Sequence, residues 1–295
     1  MPDGRARAVT MLVTGACVIG LAPILVRLSA AGPAATGFWR LLFALPLLAV
    51  PALRQPAGLS DTSRFAVFAG AAFALDLACW HYGIANTSVS KATVLANLTP
   101  ILVTAAMWLF FHQRPAPLFL VAVALSVAGG AVMALSKGAG VIGPRPLLGD
   151  TLSAVTSLWY ALYFLAMSAA RRRQGTTQVM FWSSLTGLPL LLAIAWGLGE
   201  RIVPATFAGW AACIGLGVVH VGGQGSIAWA LGRLPPSTAS VTVLVQPVVT
   251  TALGWLLFGE LLSLWQAAGA ALALTGVVLA QRAAESPAAK DPARL

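Results

Sequence analysis

Asp76 is the residue whose type fits its surroundings least. It lies about 11 residues into the apolar run 65–86, roughly 16 Å along a helix, and is the only carboxylate well inside any such run. A charge at that depth is costly and marks a functional hypothesis by default. Two readings stand side by side: a proton site or partner for a substrate amine, and a neutral aspartate hydrogen-bonded in the packing. Trp80, His81 and Tyr82 follow it in the outer part of the same run. The other two of the three tyrosines, Tyr160 and Tyr163, stand mid-run in 149–170 beside Trp159. Trp159 and Tyr163 are four apart and share a helix face. An aromatic lining suits an apolar or aromatic solute and can hold its amine by cation–π contact; ordinary core packing is the competing account.

Uncharged polar residues recur at similar depth. His220 and Gln224 are four apart in the run 206–230, Gln246 precedes Pro247 in 236–258, and Asn97 precedes Pro100 in 90–111. A proline in a membrane helix frees a carbonyl that a neighbour, water or ligand must satisfy. Pro100 and Pro247 therefore mark expected helix breaks or gates, and the amides serve either interhelical hydrogen bonds or substrate contacts. Arg40, about six residues into the run 34–53, reads either as a structural anchor that snorkels to the interface or as a partner for a carboxylate; the anchor reading is the simpler. The helices holding these residues, third, fourth, sixth, eighth and ninth, are expected to line a central cavity.

Chemistry of other kinds finds no support. There is no HExxH, GxSxG or P-loop pattern, and three histidines, His81, His112 and His220, are scattered. An enzyme, a metal site, a cofactor or direct use of ATP is not expected. Cys17, Cys79 and Cys213 all fall inside apolar runs, so a disulfide framework is not expected either.

The elements that position these residues follow from composition. The 295 residues are 59% hydrophobic and 9% charged, against about 25% charged in soluble domains. Ten runs approach the roughly 20 apolar residues that cross a bilayer: 8–29, 34–53, 65–86, 90–111, 117–136, 149–170, 177–198, 206–230, 236–258 and 262–281. They do not alternate as barrel strands do, so an all-α polytopic membrane protein with ten transmembrane helices is expected. The first run follows Arg5 and Arg7 but exceeds the about 7–15 residues of a signal-peptide core, so it reads as a retained helix. The net charge of +10 is distributed by topology, not arranged for nucleic acid. Arg5, Arg7, Arg54, Arg64, Arg114, Arg171, Arg172, Arg173, Arg233, Arg282, Lys290 and Arg294 fall on the side holding both termini. Arg27, Lys91, Lys137, Arg145 and Arg201 fall opposite. The positive-inside rule then places both termini in the cytoplasm. The Arg171–Arg173 run reads first as a topology determinant, with a lipid-headgroup site as the sharper alternative.

A repeat organises the chain. Under a shift of 147 residues, Ala92, Val94, Pro100, Thr104, Ala105, Trp108, Leu109 and Phe111 meet Ala239, Val241, Pro247, Thr251, Ala252, Trp255, Leu256 and Phe258, and Ala124, Leu125 and Gly129 meet Ala271, Leu272 and Gly276. Earlier the shift is 143: Phe38-Trp39 meets Phe181-Trp182, and Leu45-Pro46-Leu47-Leu48 meets Leu188-Pro189-Leu190-Leu191. Five helices per half is an odd number, so the second half enters from the opposite side. Two inverted halves, 1–140 and 141–283, around a central cavity, with a polar tail 284–295, are a secondary-transporter architecture with substrate near the midplane.

The stretch Pro247…Trp255-Leu256-Leu257-Phe258-Gly259-Glu260…Gln266-Ala267-Ala268-Gly269…Thr275-Gly276-Val277 resembles the end of the repeat in the EamA family of the drug/metabolite transporter superfamily. The first half departs from it, with His112-Gln113 where the second has Gly259-Glu260. The chain is most similar there to bacterial aromatic and neutral amino acid exporters of the YddG type. The resemblance implies ten helices in two inverted halves, a bacterial inner-membrane location, a small-molecule amino acid or related metabolite as the partner besides the lipid bilayer, and export by alternating access. A monomer is compatible with it. Other metabolites or cationic drug-like compounds are the alternative cargo, and a channel the less favoured function.

Overall fold

The structure, a computed structural model, describes residues 2–55, 58–59, 62–87, 92, 95–136, 144–258 and 263–284. The Gly259-Glu260 pair, Lys91, Lys137, most of the 137–148 loop and the tail from 285 onward lie outside them. The described residues form α1 (Pro2–Ile19), α2 (Ala22–Leu28), α3 (Pro33–Leu53), α4 (Arg64–Asn86), α5 (Thr99–Leu109), α6 (Pro117–Leu135), α7 (Pro146–Arg171), α8 (Thr176–Gly197), α9 (Phe207–Val219), a π-helical turn (His220–Gln224), α10 (Gly225–Leu231), α11 (Pro236–Thr242), α12 (Val245–Phe258) and α13 (Leu264–Ala283). Among the described residues the secondary structure is helical throughout.

Eight stretches are long and apolar enough to cross a membrane: Gly4–Leu28, Pro33–Leu53, Arg64–Asn86, Pro117–Leu135, Pro146–Arg171, Thr176–Gly197, Phe207–Leu231 and Leu264–Ala283. Their outward faces are apolar, with Trp196, Phe207 and Leu264 each more than three-quarters exposed. Such a surface suits hydrocarbon, and this is a multi-pass membrane protein. The expected fourth and ninth spans differ from the other eight. Thr99–Leu109 is a shorter apolar helix, and α11 gives way to α12 through a turn at Val243-Leu244. The physical reason is the paired proline. Pro100 occupies the first turn of α5 just after the Asn97-Leu98 turn, and Pro247 is the third residue of α12. A proline in a first turn removes an N–H that has no intrahelical partner anyway. Both prolines thus stand at helix starts, with a turn just ahead of each at Asn97-Leu98 and Val243-Leu244.

The first span is also broken, at Gly20-Leu21 between α1 and α2. Thr250 of α12 donates its hydroxyl to the Gly20 carbonyl at 3.0 Å, and Val249 packs so closely that a Cβ on Gly20 would stand 2.8 Å from it. The break is closed by a residue from the other end of the chain.

α4 lies along α7 and α8, α3 against α8 and α9, α1 against the π-turn and α10, and α6 against α13. The larger apolar core joins α1–α4 to α7–α10, and a smaller one gathers Phe119, Val123, Val241, Val245 and Val277 around Ala16. At the α6–α13 crossing the backbones nearly touch. A Cβ on Gly129 would collide with the Ala273 nitrogen and the Gly269 carbonyl, and one on Gly276 with Ser126 and the Ala122 carbonyl. Ser126 and Ala273 are 147 apart, as are Gly129 and Gly276, and Ala122 and Gly269. The contact is therefore reciprocal under the repeat shift, as it is across a two-fold axis.

Candidate functional site

The densest buried polar group lies between α3, α4, α7, the π-turn and the start of α12. α3 brings Arg40, seven residues from its first, about 10 Å along the helix axis, where it is only 3% exposed. Its guanidinium carbon lies 5.4 Å from the centre of the Phe73 ring, and its Nε has no hydrogen-bond partner. Phe73 and Asp76, three apart on α4, share a face. Asp76 is 7% exposed, and its charge and that of Arg40 attract each other. Among the described residues no hydrogen bond reaches Asp76, and no ion pair of 4.0 Å or less joins it to Arg40. Burying an ion costs several kcal/mol unless partners are supplied. Two opposite charges held near each other, neither seated on the other, form a site built to receive partners.

Aromatic rings wall this pair. Phe73 lies 4.8 Å from Tyr163 and 5.3 Å from His220, centre to centre. Tyr160 stacks on Tyr163 at 5.8 Å with planes 3° apart, because residues three apart on α7 stand over one another. The Gln224 amide nitrogen donates to the Tyr163 hydroxyl at 3.0 Å, and Gln224 and Gln246 both face the Tyr160 hydroxyl. His220 Nε2 sits 3.2 Å from the Ser184 hydroxyl. Its Nδ1 and the Gln246 amide nitrogen are buried with no partner. The π-turn widens the helix where His220 and Gln224 point inward; such turns recur at functional sites.

Thus the structure brings together Asp76, Tyr160, Tyr163, His220, Gln224 and Gln246, and adds Arg40 and Phe73. The anchor reading of Arg40 is corrected: the side chain is buried beside Asp76 and does not reach an interface. Depth of entry was the available signal, since an arginine two turns inside an apolar run is far from water. Phe73 had a signal too, three residues before Asp76.

The remaining candidates stand elsewhere. His81 is 4% exposed, its Nδ1 is 2.8 Å from the Pro33 carbonyl, and Trp80 lies 5.2 Å from its ring. Its Nε2 has no partner. Tyr82 donates to the Glu200 carboxylate, which also accepts from the Ala34 and Ala35 nitrogens at 3.1 and 2.9 Å. Tyr82 and Glu200 therefore belong to the capped start of α3 and not to the cluster. Trp159 packs half-buried against the larger core. Asn97 turns its amide nitrogen toward Gly130 of α6. The second span thus supplies a residue to the cluster, and no residue of the fourth is described there. Among the described residues no three His, Cys, Asp or Glu side chains converge as a metal site requires.

Similarity to known proteins extends over most of the chain. The sequence model of the EamA-like transporter family matches residues 6–135 and again 147–281. A pseudopaline exporter, CntI, of Pseudomonas aeruginosa is 26% identical over 213 residues, 71% of this chain and 72% of its own. An uncharacterized transporter of Archaeoglobus fulgidus is 25% identical over 274 residues, 92% of this chain and 95% of its own. One solved crystal structure superposes with a TM-score of 0.78 at 17% identity, covering 94% of this chain and 98% of that one, which makes the fold a shared one.

Proposed function

The chain belongs to the EamA-like transporter family, and from that membership we propose that it is a secondary exporter of small zwitterionic solutes, neutral and aromatic amino acids first. The observation that carries this reading is the buried Arg40–Asp76 pair, open to partners and walled by Phe73, Tyr160 and Tyr163. A free amino acid carries one carboxylate and one ammonium. The Arg40 fork suits the first by bidentate hydrogen bonds, and Asp76 suits the second. The unpartnered Gln246 amide and His220 Nδ1 offer further neutral contacts, and the rings take an apolar side chain.

The two family-matched halves and the reciprocal α6–α13 contact support ten crossings in two inverted halves, with alternating access between them. The helix starts at Pro100 and Pro247 are the gating breaks in this reading. The basic-residue bias supports cytoplasmic termini in a bacterial inner membrane. Similarity to a protein named as a pseudopaline exporter favours export, and supports a second reading in which the cargo is another small metabolite.

The test is transport by purified protein in liposomes. Phenylalanine, tryptophan, leucine and methionine should move faster than glutamate or lysine, and phenethylamine, which lacks the carboxylate, should move poorly. Acidic amino acids moving at equal or higher rates would sink the reading.

A further inference from the structure

Two arginines lie over one indole and a third stands beside them, apart from the transport cluster. The guanidinium carbon of Arg233, just beyond α10, lies 3.6 Å from the centre of the Trp229 ring, and that of Arg7 of α1 lies 5.5 Å from the same centre. Arg171 closes α7 beside them. Its Nε donates to the Ala228 carbonyl at 3.2 Å and another donor to the Gln174 carbonyl. Its Nη2 is so near Gly232 that a Cβ there would stand 3.0 Å away, and its charge and that of Arg233 repel. Trp229 is half-buried, while Arg7 and Arg233 are exposed. Among the described residues no carboxylate pairs with any of the three. Two cations on one ring and a third repelling one of them form a basic cluster that an anion would neutralise.

We propose that Arg7, Arg171 and Arg233 bind the phosphate of an anionic phospholipid headgroup, with Trp229 as the platform that orders two of them. Guanidinium forks match phosphate oxygens in pairs. Stacking on the ring and the Nη1 donation to the Trp229 carbonyl at 3.0 Å fix the plane of Arg233, and its remaining donors face an incoming phosphate in this reading. The source is a lipid and not free phosphate because the cluster lies where α1, α7 and α10 leave their apolar stretches. Tryptophan belongs there at headgroup level, and anionic lipids concentrate on the side that basic segments choose. The site joins helices from both halves, so a bound headgroup would bridge them.

The test uses the full chain in vesicles of phosphatidylcholine with a minor share of phosphatidylglycerol, extracted gently and weighed by native mass spectrometry. Phosphatidylglycerol should be retained about tenfold over its share. The double variant Arg7→Gln/Arg233→Gln should fall to the phosphatidylcholine level, whereas Arg172→Gln/Arg173→Gln, with the same loss of charge, should keep the preference. Arg233→Lys keeps the charge but loses the planar stack, and should lose most of the preference. Equal loss in both double variants, or full retention in Arg233→Lys, would reduce the cluster to bulk charge and overturn the site. Displacement of the lipid by millimolar glycerol phosphate would overturn the lipid as its occupant.

Discussion

Arg40 and Asp76 are worth more as a pair than either is alone. Removing one leaves the other buried without its opposite charge, which costs about 3–5 kcal/mol in proteins generally. Arg40→Gln and Asp76→Asn should therefore each lower the melting temperature in detergent and abolish zwitterion transport. The double variant should recover most of the stability but none of the transport, a coupling that a double-mutant cycle reads directly. Additive stability losses would show that the two do not interact. A site holding one cation and one anion is neutral, and matches a zwitterion without taking up a proton. Uptake by the wild type should then follow the solute gradient alone, and an imposed proton gradient should produce no overshoot; an overshoot would make the protein a proton-coupled pump. Asp76 was legible in the sequence because a carboxylate amid apolar residues is rare. Its link to Arg40 was not, because the two are on different helices and only packing decides whether a long side chain turns inward or out.

The helices were legible by length wherever a run was continuous. The fourth and ninth were not, since hydropathy does not register where a chain turns. Pro100 and Pro247 were visible, but whether a proline kinks a helix or starts one depends on the residues before it. Asn97-Leu98 and Val243-Leu244 turn ahead of them. The start of α3 was equally hidden. Its free N–H groups at Ala34 and Ala35 are met by Glu200, 166 and 165 residues away, and no local capping residue at Gly32 announces it. A carboxylate there also meets the positive end of the helix dipole. Glu200→Ala should cost about 1 kcal/mol and lower the melting temperature by about 2–4 °C. Glu200→Gln should recover part of this, because an amide oxygen still accepts. No change in either variant would show that water caps α3 equally well.

For the whole molecule, topology is the open quantity with a direct assay. A cysteine at Arg145, before α7, should react with a membrane-impermeant reagent on intact cells, and one at Arg172, beyond α7, should react only after the membrane is opened. The opposite pattern would reverse the orientation and place the arginine cluster around Trp229 outside. The repeat itself was readable from paired prolines and tryptophans, but the crossing of α6 with α13 is decided only by packing between distant segments. Gly129 and Gly276 match in sequence, yet only the packing shows each seated against the other's helix.

The hydroxyl that Thr250 lends to Gly20 bears on how the protein is made. The two residues are 230 apart in the chain. At about 5–20 residues per second, a ribosome needs roughly ten to fifty seconds to produce the second after the first. During that interval the newly inserted first span carries a broken turn whose carbonyl has no protein donor. It must keep to a hydrated or assisted position beside the insertion machinery, and it can settle into lipid only once α12 emerges. Nascent chains stalled before residue 250 should therefore leave the first span more accessible to a water-borne thiol reagent than chains stalled after it, and equal accessibility would show that the break closes without Thr250.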